Sequence, residues 1–142
     1  MIKISYDLPN SLDYIKLRVN SGMGNKKSIE RVDIALKNSL FTISLYDEKK
    51  LIGMGRIIGD GGISYAVTDI MVDKEYQGKG YGSEGLRLLE KEFPTITQWD
   101  LCTVLQDEGM VAFYEKNGYH QTHIEPEKEG MDMVYMKKLI EK

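Results

Sequence analysis

Three alternating glycines, Gly78, Gly80 and Gly82, form the segment of this chain that is best suited to chemistry. They lie in the run Gln77-Gly78-Lys79-Gly80-Tyr81-Gly82, which follows an apolar segment and leads into a helical pattern. Backbone NH groups bared in such a loop point at whatever lies above the helix N-terminus, and the helix dipole adds to their attraction for anions. The loop therefore predicts a phosphate site.

Three other interpretations of the glycine loop compete with a simple phosphate cradle. The P-loop of nucleotide triphosphatases requires Ser or Thr after Gly-Lys, and Gly80 follows Gly78-Lys79 here, which excludes it. The dinucleotide pattern G-x-G-x-x-G is present from Gly80 to Gly85, but it lacks an acidic ribose ligand unless Asp107 serves. The third interpretation is a tight turn with nothing bound, for which one glycine would suffice.

The elements that must position this loop follow from hydrophobic periodicity. Alternating or continuous apolar runs predict strands at 2–6, 41–46, 51–58, 63–72, 99–105, 119–124 and 133–139. Helical spacing predicts four helices. The first buries Leu8, Leu12, Ile15 and Val19, and the second starts at the N-cap Ser28 and buries Ile29, Val32, Leu36 and Leu40. The third spans 80–93, and Asp107 caps the fourth, which Asn117-Gly118 ends.

The order of these elements predicts a mixed α/β fold. Asp60-Gly61-Gly62 is a hairpin signal, so the strands before the glycine loop form an antiparallel meander. The strand, helix and strand around the loop imply a parallel pair with a right-handed crossover. The strand at 99–105 is nearly all apolar, which predicts burial on both faces. A charged loop, residues 125–132, is expected to join the last two strands.

Composition narrows the class of protein. The 142 residues predict one domain, residues 1–142, and a net charge of −3 gives no general reason to bind nucleic acid or a membrane. The N-terminus is too short and polar for a signal peptide, and Cys102 is the single cysteine, expected as a small buried residue in a reducing compartment. Cytoplasmic localisation is the simplest expectation. His120 and His123 have no metal-ligand spacing, so no metal is expected.

Two segments resemble the GCN5-related N-acetyltransferases (GNAT). The run 67–82 is similar to the acetyl-CoA-binding motif of that family, Arg/Gln-x-x-Gly-x-Gly/Ala, with Gln77, Gly80 and Gly82 at the motif positions. The run 112–119 resembles the family segment Phe-Tyr-Glu-Lys-x-Gly-Phe. The resemblance implies a mostly antiparallel sheet of six to seven strands, flanked by about four helices, with two central parallel strands that splay apart.

The resemblance also implies acetyl-CoA as co-substrate and assigns its contacts. The pyrophosphate would rest on loop amides, with Gln77 at the loop entrance and the charge of Lys79 nearby; these amides belong to Gly78, Lys79, Gly80, Tyr81, Gly82 and Ser83. The pantetheine arm would run along the backbone of Ile70, Met71 and Val72, and the NH of Met71 or Ile70 would be the oxyanion donor. Asp107 stands where many members have asparagine, and it keeps only an acceptor role toward the cofactor.

The implied chemistry is direct attack of a primary amine on the thioester in a ternary complex. Tyr114 matches the family tyrosine that faces the sulfur, and a phenol of ordinary pKa, about 10, can reprotonate the leaving thiolate. Asp69, in the strand beside the cofactor, is one candidate for the general base; the alternative is an ion pair with Arg56 on the neighbouring strand. A different class of function is a non-catalytic acyl-CoA-binding or sensor module that keeps the loop without turnover.

The acceptor is the least defined part of the prediction. Candidate lining residues are Met23, Arg56, Asp60 and Tyr65, and the acceptor is a small-molecule or peptide amine. The acidic balance favours a cationic amine, whereas Arg56 with Asp60 would suit an amino acid. A sheet edge near the C-terminal hairpin also offers a surface for a homodimer.

Overall fold

The strands and helices of the computed structural model, which describes residues 2–23 and 27–140, follow one another in a regular order. Within these residues the elements are β1 (Ile2–Ser5), α1 (Ser11–Asn20), α2 (Ile29–Lys37), β2 (Phe41–Asp47), β3 (Lys50–Gly59), β4 (Tyr65–Val72), a 3-10 turn (Lys74–Tyr76), α3 (Tyr81–Glu92), β5 (Gln98–Val104), α4 (Glu108–Lys116), β6 (His120–Lys128) and β7 (Met131–Leu139). The chain forms an N-terminal unit that ends at Phe93 and a C-terminal unit that begins at Pro94.

The N-terminal unit contains the predicted antiparallel meander. Strands β1, β2, β3 and β4 pair in chain order, and every pair among them is antiparallel. The helices α1 and α2 cover one region of this sheet through a buried cluster of apolar side chains from both helices and from β3 and β4. Its members are Tyr14, Ile15, Leu17, Val32, Leu36, Leu51, Met54 and Met71. The prediction of the meander is confirmed.

Helix α1 buries a different face from the one the sequence predicts. Only Ile15 of the predicted set is buried, whereas Leu8, Leu12 and Val19 are each about half exposed. The buried side chains are instead Tyr14, Ile15 and Leu17. The prediction counted only aliphatic residues and left out Tyr14, whose hydroxyl donates to Asp69 of β4 inside the unit.

The start of α1 depends on a cap that the sequence prediction missed. The side chain of Asn10 accepts hydrogen bonds from the NH groups of Leu12 and Asp13. We expect Asn10→Ala to lower the free energy of unfolding by about 1 kcal/mol, since two NH groups of the first turn lose their acceptor. Urea unfolding measures the change, with Asn10→Asp as the control that keeps a capping oxygen. An unchanged midpoint for the alanine variant would contradict this role of Asn10.

Helix α2 begins as predicted. The Ser28 hydroxyl accepts from the NH of Arg31 at 3.2 Å, so Ser28 is the N-cap. Val32 and Leu36 are buried, but Ile29 is about half exposed, and Leu40 lies beyond the end of the helix. Residues 24–26, between α1 and α2, lie outside the described residues.

Helix α3 packs on the meander through Leu86 and Leu89, which are fully buried. The close approach is possible because β3 has glycine at position 55. A Cβ on Gly55 would lie 2.6 Å from Cδ1 of Ile70 in β4 and 2.8 Å from Cδ1 of Leu89. Both distances are shorter than a van der Waals contact. Gly55 thus allows β4 and α3 to approach the same point of the sheet.

The C-terminal unit is an antiparallel sheet in the order β5-β7-β6, with α4 in the connection from β5 to β6. The prediction that β5 is buried on both faces is wrong. Trp99 and Leu101 are buried, whereas Asp100 and Cys102 are exposed. Successive residues of a strand point to opposite faces, and the aspartate and the cysteine share the face that remains open.

The charged segment that joins the last two strands is also different from the prediction. Most of the expected loop, residues 125–132, is strand: β6 continues to Lys128, β7 begins at Met131, and Gly130 turns the chain with φ 76°. All nine residues of β6 are exposed. A strand that is open to solvent on both faces can carry charged residues, which the apolar pattern used for the prediction does not detect.

The predicted class of fold is confirmed, with seven strands and four helices within the described residues. The predicted pair of splayed parallel strands takes one strand, β4, from the N-terminal unit and the other, β5, from the C-terminal unit. This pair stays a prediction. Across residues 2–23 and 27–140, no helix is long and apolar enough to cross a membrane.

Candidate active site

The glycine loop leads into α3 through two residues in the left-handed conformation, Gly78 with φ 79° and Gly80 with φ 87°. Gly80 is the N-cap of α3, and it makes no side-chain capping bond. Glu84 donates to the Gly80 carbonyl at 3.0 Å, and helix geometry provides no intrahelical acceptor for the NH groups before it. No atom lies within 4 Å of the place that a Cβ would take at either glycine. The loop therefore presents backbone and a helix N-terminus on an open surface, which suits a phosphate.

Contacts from neighbouring segments hold the loop. The side-chain amide of Gln77 donates to the carbonyl of Val72 at 2.7 Å and to that of Ser21 at 3.3 Å. Just before it, the Tyr76 hydroxyl donates to Oδ2 of Asp47 at 2.6 Å. That hydrogen bond to a carboxylate is the main reason why the pKa of Tyr76 rises to about 12. Gln77 thus ties the loop entrance to the end of β4.

Two lysines lie beside the loop. Nζ of Lys79 is 5.5 Å from the centre of the Tyr76 ring, and Nζ of Lys50 is 5.7 Å from the same centre. Lys50 also forms ion pairs with Asp73 at 3.5 Å and with Glu75 at 3.8 Å. The carboxylates therefore offset the charge of Lys50, and Lys79 remains the better candidate to face a bound phosphate.

The strand predicted to carry the pantetheine arm meets the glycine loop at one narrow crevice. Its volume is about 10 Å³, close to the space of one water molecule. The lining is almost entirely apolar and comes from β2, β3, β4 and the first turns of α3: Ile43, Leu45, Met54, Ile70, Met71, Val72, Tyr81, Gly82, Gly85 and Leu86. The crevice thus brings together the predicted cofactor residues of β4 and two of those of the loop, Tyr81 and Gly82.

Strand β4 contains a bulge next to this crevice. Asp69 and Ile70 together face the single residue Gly55 of β3, because the pairing register shifts by one between Met54 and Arg56. Asp69 has φ 53°, a left-handed conformation that this type of bulge normally assigns to glycine. A bulge interrupts the ladder of hydrogen bonds, so backbone groups near it are available to a ligand. The predicted oxyanion donors, the NH groups of Ile70 and Met71, lie directly after the left-handed residue.

The carboxylate of Asp69 is surrounded by donors from two other elements. Its Oδ2 accepts from the Tyr14 hydroxyl at 2.6 Å and from Nε of Arg56 at 2.8 Å, and its Oδ1 accepts from Nη1 of Arg18 at 3.3 Å. Only 8% of this side chain is exposed. The ion pair with Arg56, which the sequence analysis weighed against a general base, is present. The role of Asp69 as the base stays a prediction.

In the C-terminal unit, the predicted acid Tyr114 is buried on α4. Its ring packs edge-on against Phe113 and Tyr119, with ring centres 5.3 and 5.8 Å apart. Asp107 caps the helix as predicted, because its Oδ1 accepts from the NH of Met110 at 3.1 Å. The carboxylate is thus engaged with the helix, and its acceptor role toward the cofactor stays a prediction.

The residues predicted to line the acceptor site make structural contacts. Asp60 accepts three backbone hydrogen bonds within its turn, chiefly from the NH of Ser64, and these lower the pKa of its carboxyl. The Tyr65 hydroxyl donates to the Gly61 carbonyl at 2.7 Å in the same turn. Met23 packs against the buried cluster between α1, α2 and the sheet. The structure thus brings Asp60 and Tyr65 together in one turn. Met23 instead contacts the buried cluster, and Arg56 contacts Asp69.

The sequence of residues 20–140 matches the family described as the acetyltransferase (GNAT) domain. The chain belongs to the GNAT acetyltransferase family. This confirms the resemblance found in the glycine loop and in the tyrosine segment. GNAT proteins transfer acyl groups from acetyl-CoA, so the prediction of an acetyltransferase is confirmed at the level of the family.

Similar proteins differ in how much of this GNAT chain aligns with them and in how identical the aligned residues are. A histone acetyltransferase of Glycine max is 32% identical over 107 residues, which are 66% of this chain and 45% of that protein. The chain thus spans less than half the length of that relative. A solved probable acetyltransferase of unknown function from methicillin-resistant Staphylococcus aureus is 39% identical, with a TM-score of 0.69 over 80% of this chain and 89% of that one. An aminoglycoside 6'-N-acetyltransferase solved with coenzyme A shares the fold, with 20% identity and a TM-score of 0.77 over 99% and 98% of the two chains.

Two polar residues that contact Asp69 of the candidate site went unnoticed in the sequence. Tyr14 and Arg18 lie one turn apart on α1, and both contact Asp69 of β4. Their spacing of four residues places them on one helix face, which was the available signal. A tyrosine and an arginine that interrupt the apolar stripe of a helix are a reason to look for a buried acidic partner elsewhere in the chain.

Proposed function

We propose that this GNAT chain is an acetyl-CoA-dependent N-acetyltransferase that moves the acetyl group to a primary amine. The observation that carries the proposal is the meeting of the open glycine loop and β4 at one crevice. A protein of the same fold has been solved with coenzyme A, which supports the choice of donor. The alternative of a nicotinamide dinucleotide has no comparable support.

The residues of the N-terminal unit fit the parts of acetyl-CoA. Backbone NH groups of the glycine loop and the α3 N-terminus would bind the pyrophosphate, and Lys79 would add a positive charge. The open space over Gly78 and Gly80 leaves room for the phosphate oxygens. The backbone of Ile70, Met71 and Val72 would pair with the amides of the pantetheine arm, as an added strand does.

The reaction requires two proton movements around one exchange of bonds. A neutral amine forms the new C–N bond, the C–S bond breaks, and the thiolate of coenzyme A leaves. Tyr114 donates its hydroxyl proton to that thiolate and recovers a proton from solvent, while the amine nitrogen loses a proton to a base. The NH of Ile70 or Met71 stabilises the oxyanion that forms on the acetyl carbonyl.

The acceptor is a primary amine of a small molecule or of a protein. The net charge of −3 favours an acceptor that carries a positive charge away from the reacting nitrogen. The soybean relative is named a histone acetyltransferase and the coenzyme A complex an aminoglycoside acetyltransferase, so both protein lysines and polyamine-like molecules belong in the test.

A panel of amines tests this proposal. The release of free thiol from acetyl-CoA is measured with polyamines, arylalkylamines, aminoglycosides, amino acids and lysine-containing peptides. We expect at least one primary amine to raise the release well above hydrolysis without amine. The tertiary amine analogue of each active compound is the matched control, because it binds with similar charge but has no NH to replace.

The outcome of the panel also separates the two classes of function. Acetyl-CoA that protects the protein against thermal unfolding, together with no turnover by any amine, would contradict the enzymatic proposal and favour a non-catalytic acyl-CoA module. If NAD protected the protein against thermal unfolding and acetyl-CoA did not, both the enzymatic proposal and the acyl-CoA module would be contradicted.

A further inference from the structure

Asp69 is an unusual residue for the place that it occupies in β4. The left-handed position of such a bulge is normally taken by glycine, because a Cβ there collides with the backbone. Among the described residues, only Asp69 and Glu48 adopt a positive φ without being glycine, and Glu48 lies in the turn between β2 and β3. Asp69 is therefore held in a costly conformation in the interior of a strand, where contacts of its side chain must offset the cost.

Those contacts connect the bulge to α1 and α2, two of the three helices of the N-terminal unit. Tyr14 and Arg18 reach the carboxylate of Asp69 from α1. Arg56 reaches it from β3, and Nη1 of the same guanidinium donates to the carbonyl of Ala35, near the end of α2, at 3.1 Å. Nη1 also donates to the Ser39 hydroxyl at 3.0 Å. The bulge is thus fixed to three elements through one carboxylate.

The same contacts limit what the carboxylate can do in proton transfer. An ionised carboxylate has about four lone-pair positions, and three donors of the protein already point at the oxygens of Asp69. Burial and the carboxylate raise the pKa of the Tyr14 phenol to about 12, so Tyr14 keeps its proton and continues to donate at neutral pH. Three of the four positions are thus taken, and only 8% of the side chain is exposed, so an amine has little access to the remaining one.

We propose that Asp69 is a positioning residue rather than the general base: held by Tyr14, Arg18 and Arg56, its carboxylate fixes the β4 bulge and thereby aims the NH of Ile70 or Met71 at the acetyl carbonyl. This inference rests on the proposed acetyl transfer. It adds Tyr14, Arg18 and Arg56 to the residues on which the rate depends, although none of them touches the reacting atoms. The proton of the amine then leaves to water or to another group.

Kinetics of Asp69→Asn and Tyr14→Phe separate the two roles. Asparagine tolerates the left-handed conformation but loses the charge that holds the two arginines. We expect kcat to fall about tenfold through misplacement of the oxyanion donor, with the KM for acetyl-CoA and the shape of the pH profile unchanged. Tyr14→Phe should lower kcat in the same way by a smaller factor, while Tyr46→Phe, a half-buried tyrosine elsewhere in the unit, should leave it unchanged.

The opposite result has a distinct signature. Loss of a general base costs about 10²- to 10⁴-fold and removes the acidic limb of the profile of kcat against pH. If Asp69→Asn showed both changes while Tyr14→Phe had wild-type kinetics, the positioning role would be overturned.

A second measurement does not depend on any turnover. Hydrogen exchange followed by NMR reports the local stability of the amides of Ile70 and Met71. In Tyr14→Phe and Asp69→Asn we expect these two amides to exchange about tenfold faster, with Ile57 of β3 as the internal reference. Unchanged exchange at all three positions would overturn the inference. If the two amides exchanged faster in the variants while the wild-type protein acetylated no amine, the role of Asp69 in the bulge would be retained. Only the proposed reaction would then be rejected.

Discussion

Replacement of Gly80 by alanine is expected to raise the KM for acetyl-CoA by about tenfold or more, equivalent to about 1.4 kcal/mol or more of binding free energy. Two effects act together. Alanine disfavours the left-handed conformation that Gly80 adopts with φ 87°, and its methyl group would enter the open space in which a phosphate would rest. Steady-state kinetics with varied acetyl-CoA, at saturating amine, measure the change.

The chain offers a matched control for the strain at Gly80. Gly130, in the turn between β6 and β7, has φ 76° and is equally open around its missing side chain. Gly130→Ala should therefore lose a similar amount of stability, about 1–2 kcal/mol, without any change in the KM for acetyl-CoA. Equal KM values for the Gly80 variant and the wild type would show that the glycine loop does not bind the donor.

Replacement of Tyr114 by phenylalanine is expected to lower kcat by about 100-fold with little change in the KM for acetyl-CoA, because a general acid acts in the transition state and not in donor binding. The rings of Phe113 and Tyr119 still pack around the substituted ring, so the helix should remain intact. The wild-type rate should fall at alkaline pH as the acid loses its proton, and the variant should lack this fall.

A second buried tyrosine of the same unit controls for the loss of a hydroxyl as such. Tyr119 is as buried as Tyr114 and lies 5.8 Å from it between ring centres. Tyr119→Phe should keep a kcat close to that of the wild type. If the two variants lost activity equally, the effect would be one of packing and Tyr114 would not be the acid.

Features that depend on neighbours in the sequence were predictable. The glycine loop, the caps Ser28 and Asp107 and the hairpin at Asp60 were all found from a few adjacent residues, because each is a local pattern of hydrogen bonds. The family resemblance rests on the same kind of local pattern. Of these features, the glycine loop and Asp107 belong to the predicted cofactor side of the candidate site.

Features that depend on distant contacts were not predictable in the same way. Tyr14 and Asp69 are 55 residues apart, and the spacing of Tyr14 and Arg18 indicates an acidic partner without identifying which residue it is. The inward face of α1 includes Tyr14, which makes that contact, and the spacing of the aliphatic residues alone did not identify it. The bulge at Asp69 also escaped prediction, because a shift of register by one residue leaves the apolar composition of β4 unchanged.

The missing side chain at Gly55 has a consequence for the motions of the donor site. Ile70, in the bulge, and Leu89, on the helix that follows the glycine loop, both extend into the space that a methyl group at position 55 would occupy. A densely packed interior transmits displacement because it contains few voids. Thermal fluctuations of the bulge and of α3 are therefore expected to be correlated, so that the part of the protein that would hold the acyl group and the part that would hold the phosphates move as one body.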